Sequence, residues 1–129
     1  MGVAIISTGK ALPELIVDNQ RLTELVETDN EWIIERTGIE SRRVATKETG
    51  LDLAVAAAQE ALGDMDKDSI GLLIAATVTP DALVPSMGCK IKRALGLKNA
   101  VAYDINAACS GFVYGLWIAE ALMKTHNIR

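Results

Sequence analysis

Apolar positions along this chain follow two rhythms, short continuous runs and helical repeats, with Gly or Pro between them. Residues 3–7 are apolar and β-branched, and Gly9 and Pro13 break the run, so a strand followed by a loop is expected. Asp18 can cap a short helix carrying Leu22, Leu25 and Val26. A second short helix is predicted over residues 30–36, stopped by Gly38. Residues 39–50 hold Arg42, Arg43 and Lys47 and read as a loop with a short strand at most, its cations a solvated surface.

From residue 51 the alternation sharpens. Leu51, Val55, Ala58 and Leu62 share one face of an Ala-rich helix that Gly63 ends. Residues 71–78 are continuously apolar up to their threonines, as in a strand covered on both faces. Pro85 suits the first turn of the next helix, whose apolar face is Met87, Ile91, Ala94 and Leu95 and which Gly96 stops. Residues 101–105 read as another strand. Residues 110–123 read as a helix whose one charge is Glu120, a pattern that expects cover on all sides. Residues 124–129 come where a further strand is expected. Strands separated by helices imply right-handed crossovers. The expected class is α/β, a mostly parallel central sheet with helices on both faces, in one domain over residues 1–129.

Composition narrows the function classes. Of the 129 residues, 50% are hydrophobic and 23% charged, a globular balance. Lys and Arg total 13 against 17 Asp and Glu, for a net charge of -4, which disfavours a dedicated binder of nucleic acid or anionic membrane. Two Cys without a CxxC make no disulfide framework, and a reducing, cytoplasmic setting is expected. The first residues lack the basic region of a secretory leader, and Ile6 breaks the myristoylation pattern. The longest uncharged stretch, residues 105–119, is shorter than the ~20 residues a spanning helix needs. No metal site and no cofactor are expected.

The chemistry concentrates in residues 103–112, Tyr-Asp-Ile-Asn-Ala-Ala-Cys-Ser-Gly-Phe. A strand runs through small residues and a Cys directly into the apolar helix, the layout of a nucleophile elbow. A helix start offers unpaired amides and a positive dipole end, which favour a thiolate at Cys109 and could meet an oxyanion. Ala107, Ala108 and Gly111 leave room for a substrate. The plain alternative is a Cys109 that fills a core. Cys89, inside an amphipathic helix beside Lys90 and Lys92, reads as structural. Trp32 and Arg36 share a helical face, and an aromatic plane with a guanidinium suits a nucleotide. Against that stands a Trp packed in a core with Arg36 paired to Glu31, Glu35 or Glu40.

Three motifs resemble β-ketoacyl-acyl-carrier-protein synthase III: residues 107–112 after Tyr103-Asp104-Ile105, residues 29–39 (Asp-Asn-Glu-Trp-Ile-Ile-Glu-Arg-Thr-Gly-Ile), and residues 8–13 (Thr-Gly-Lys-Ala-Leu-Pro). The resemblance implies the thiolase fold, of which this chain would be the N-terminal half. It implies that Cys109 accepts an acyl group from acyl-coenzyme A, and that the acyl-enzyme condenses with malonyl-acyl-carrier protein, releasing carbon dioxide. Trp32 would stack on the adenine of coenzyme A, Arg36 would pair with its phosphates, and Thr28 would bond near the adenine. Val84 would line the acyl pocket of a partner subunit, and residues 101–105 would lie at the two-fold axis of a homodimer. A chalcone synthase-like or hydroxymethylglutaryl-CoA synthase-like relative remains an alternative, as does a non-catalytic α/β assembly domain with Cys109 in its core.

The family draws a catalytic His and Asn from its second half. Here the only His is His126. On one helix, 17 residues at ~1.5 Å each hold it about 25 Å from Cys109, so His126, followed by Asn127, reads as a helix-end residue. The chain is expected to be a truncated form, inactive in condensation alone, that associates into a dimer or higher oligomer to hide its apolar helix.

Overall fold

The computed structural model describes residues 3–126 and 128. The chain forms two compact units, one of residues 1–11 with 50–129 and the other of residues 12–49.

In the smaller unit β1 (Leu15–Asp18) pairs antiparallel with β2 (Ser41–Val44), Val17 opposite Arg42. Asp18 ends β1 and caps α1 (Asn19–Leu22), its side chain accepting from the Arg21 amide; Leu25 and Val26 lie beyond this single turn. Asp29 caps α2 (Asn30–Thr37), which Gly38 ends at a φ of 69°, the left-handed conformation that costs glycine nothing. Val17 and Ile33 are the buried apolar side chains here, too few to specify a fold alone. The buried Asn19 supplies the rest. Its amide donates to Asn30 Oδ1 at 3.0 Å and to the Ile39 carbonyl at 2.8 Å, and its oxygen accepts from Arg42 Nη2 at 2.6 Å. Arg42 also donates to the Val17 carbonyl, and Arg43 to those of Pro13 and Glu14. Arg42 is therefore not the solvated surface that the sequence predicts, whereas Arg43 stays exposed. Arg42 fastens the hairpin, because the buried Asn19 amide needs partners.

The larger unit is built on β3 (Leu72–Ala76) and β4 (Val101–Ile105), parallel and in register from Leu72–Val101 to Ala76–Ile105. Bonds from the Val101 amide to the Gly71 carbonyl and from the Thr77 amide to the Ile105 carbonyl extend the ladder at both ends. The crossover carries α4 (Met87–Leu95), which packs on both strands, with α3 (Gly50–Leu62) outside it. Met87, Ile91, Leu95, Leu97 and Ala100 form the buried core, against which Leu51, Val55, Ala58, Leu62, Leu73 and Ala75 pack. The alternate β3 side chains, Leu72, Ile74 and Ala76, face α5 (Gly111–His126) across an apolar cavity of about 360 Å³. Period-two alternation thus gives β3 helices on both faces.

Four expectations need correction. Residues 3–7 form no strand: Ser7 Oγ donates to the Ala61 carbonyl and the Lys10 amide to Glu60, so the segment runs along α3. β-branched residues favour extension, but a strand exists only with a ladder partner, and among the described residues this segment has none. Gly9 permits the approach, since a Cβ there would collide with the Ala57 carbonyl. Pro85 precedes α4 rather than opening it, because Ser86 is the N-cap. Ala94 is exposed, not part of the core face. Finally, β1 arises where a loop is expected.

Candidate active site

β4 leads through Asn106 and Ala107 into a single 3-10 turn, Ala108–Ser110, and α5 follows without a break. Ala108 has a φ of 44°, a left-handed conformation uncommon for a residue with a Cβ. The reversal sends the chain back over the sheet. Gly111 lets α5 begin in direct contact with β3, since a Cβ there would lie 2.9 Å from that of Ala76. At the crest of the turn Cys109 is exposed, in neither a helix interior nor an apolar core. That placement is the elbow expected from the sequence. The amides of Ser110 and Gly111 bond to the carbonyls of Ala107 and Ala108, so an oxyanion beside Cys109 must be met by other donors.

Cys89 is exposed too, with Sγ 3.7 Å from the Ala102 carbonyl, so accessibility does not separate the two thiols. It lies in the first turn of α4, closer to a helix start than the sequence implies. That start is already occupied. Asp104 accepts from the Met87 amide at 2.7 Å and the Gly88 amide at 2.6 Å, and Ser86 Oγ accepts from the Cys89 amide at 3.3 Å. A carboxylate answers the dipole there, whereas Ala107, the N-cap of the turn holding Cys109, makes no side-chain bond.

The other residues singled out fall in two places. In the smaller unit Thr28 and Trp32 line one cavity of about 580 Å³ with Leu22, Val26, Glu27, Asp29 and Ile33. Trp32 is 51% exposed, so it is not a core residue. The Arg36 guanidinium lies over its ring, 4.9 Å from the centroid, a cation–π contact of about 0.5–1 kcal/mol at such an exposed site. In the larger unit Val84 is 86% exposed, in a loop beside the equally open Leu83. His126 closes α5, its Nδ1 within 2.6 Å of Thr125 Oγ1 and a helix length from Cys109; Asn127 lies outside the described residues.

Three organising groups escape sequence reasoning: Asn19, Asp104 and Glu48. The Glu48 carboxylate accepts from the amides of Thr46, Lys47 and Glu14. Bonds to its own and these neighbouring amides hold its pKa down to about 2.

Residues 103–129 match the family model for 3-oxoacyl-[acyl-carrier-protein (ACP)] synthase III. Across 129 aligned residues the chain is 42% identical to the β-ketoacyl-[acyl-carrier-protein] synthase III of Clostridium beijerinckii and 46% identical to that of Alkalilimnicola ehrlichii, covering 98% and 97% of this chain. It spans about two-fifths of the length of these relatives, 40% of each. The fold superposes on the crystal structure of 3-oxoacyl-[acyl-carrier-protein] synthase III from Aquifex aeolicus with a TM-score of 0.92 at 43% identity, covering 96% of this chain and 41% of that one. It superposes on the priming β-ketosynthase of the R1128 polyketide pathway with a TM-score of 0.91 at 34% identity, covering 97% and 38%. Along nearly its whole length this chain is thus similar, in sequence and in fold, to about two-fifths of β-ketoacyl-acyl-carrier-protein synthase III, and its fold is thiolase-like α/β.

Proposed function

We propose that this chain is the nucleophile-bearing half of a β-ketoacyl-acyl-carrier-protein synthase III. The observation that carries the reading is the exposed Cys109 in the turn between β4 and the long helix α5. Its thiolate attacks the carbonyl of an acyl-coenzyme A, and the coenzyme A thiolate leaves. Malonyl-acyl-carrier protein then loses carbon dioxide, its carbanion attacks the acyl carbon, and the Cys109 thiolate leaves. The groups that polarise the two carbonyls, a His and an Asn in this family, come from outside residues 1–129. Condensation by these residues alone is therefore not expected.

Thr28, Trp32 and Arg36 form the coenzyme A end. Arg36 occupies one face of Trp32, leaving the other for adenine, and its outer nitrogens for phosphate. Val84, exposed in its loop, would reach the acyl pocket of a second copy, and β4 would lie at the two-fold axis. The decisive test is incubation with acetyl-coenzyme A followed by peptide mass spectrometry. An acetyl group on Cys109 that vanishes in Cys109→Ala supports the reading. An unmodified Cys109 in the protein at its full natural length refutes it.

A further inference from the structure

We infer that Asp104 is a positioning residue, one that ties the nucleophile strand to the loop shaping the acyl pocket. The inference rests on the role proposed for Val84.

Asp104 stands on β4, one residue before the strand ends and five before Cys109. Its carboxylate takes two successive amides at the start of α4, those of Met87 and Gly88, at 2.7 and 2.6 Å. Charge-assisted bonds of this length hold their partners more tightly than neutral ones. The helix also has no slack against the strand. A Cβ on Gly88 would lie 2.9 Å from the Tyr103 carbonyl oxygen, so α4 sits directly on the β4 backbone. Residues 83–86 lead into this clamped turn, and Val84 and Leu83 are nearly fully exposed, with little packing of their own to hold them. The position of Val84 relative to β4 therefore depends on the Asp104 clamp. Because β4 also delivers Cys109, one carboxylate sets the spacing between the pocket wall and the sulfur. If β4 lies at the two-fold axis, it does so across the dimer.

The test compares the wild type with Asp104→Asn, in the protein at its full natural length. Asparagine keeps the shape but loses the charge, and it presents one oxygen to two amides. Amide hydrogen exchange at Val84, Met87 and Gly88 should accelerate by about tenfold or more. Rates of Cys109 acylation are measured across a series from acetyl- to octanoyl-coenzyme A. For the two chains that the wild type distinguishes most, the preferred one should lose its advantage by about tenfold. A merely structural loss would slow all chains together and leave their ratio in place. Unchanged exchange, or faster exchange with the ratio intact, overturns the inference. If Asp104→Asn fails to fold, Ser86→Ala loosens the same helix start and must shift the ratio in the same direction by a smaller factor. A ratio that does not move there also overturns it. If the wild type takes no acyl group on Cys109, the proposed function falls by itself. The clamp is then judged on exchange, where unchanged protection overturns it.

Discussion

At the residue scale, both thiols are exposed, and what distinguishes them is their surroundings. Asp104 puts a carboxylate at the helix start beside Cys89, whereas no side chain caps the turn at Cys109. Iodoacetamide should therefore label Cys109 before Cys89, read by mass spectrometry of partly labelled protein. Labelling in the opposite order would remove the chemical argument for Cys109. Trp32→Ala should weaken coenzyme A binding by about tenfold, the worth of a lost base stack, with little change in folding, since the side chain is half exposed. Glu48 supplies a pH signature. Its carboxyl is held near 2 in the fold against an ordinary 4.5. Its stabilising contribution is thus complete above pH 4.5 and is lost as pH falls from 4.5 through 2. A carboxyl-carbon NMR titration should place the Glu48 midpoint near 2, and Glu48→Gln should lessen the acid sensitivity of residues 12–49 in that window. Cys109 and the Trp32–Arg36 pair were legible because spacing on a helix or at an elbow carries chemical meaning. Asp104 was not, because its partners are amides more than fifteen residues away, and amides leave no trace in a side-chain pattern.

At the element scale, legibility followed local punctuation. α2 was readable from its stop at Gly38, α3 from its apolar face, and β4 to the residue. The losses came where a segment needs a distant partner. Residues 3–7 have strand composition but no ladder partner among the described residues, while β1 exists because β2 and Arg42 complete it. Asn19 is the corresponding weak point of the smaller unit. Asn19→Ala would leave the half-buried Arg42 guanidinium short of a partner, at about 1 kcal/mol, while the exposed Asn30 side chain could turn to water. Chemical denaturation should show residues 12–49 losing order first, with α3, α4 and the β3–β4 ladder retained. Simultaneous loss of both units would show that the Asn19 network stabilises more than the unit containing it.

At the scale of the whole molecule, α5 carries a run of open apolar side chains. Phe112, Val113, Tyr114, Leu116 and Trp117 are between 40% and 72% exposed, and Gly111 is the buried residue of the helix. The sequence pattern, apolar nearly all round, already required cover that these residues alone do not supply. The chain should accordingly associate at micromolar concentration, and Phe112→Ser with Trp117→Lys should shift it towards monomer in sedimentation velocity. A monomeric wild type would refute this. What no pattern could reveal is the backbone of Ala108. Its left-handed turn penalises any side chain branched at Cβ by about 1–2 kcal/mol. Variation at this site is thereby filtered by conformation before chemistry has any say: glycine and asparagine could enter cheaply, whereas valine or isoleucine would unwind the bend and carry the sulfur off its crest.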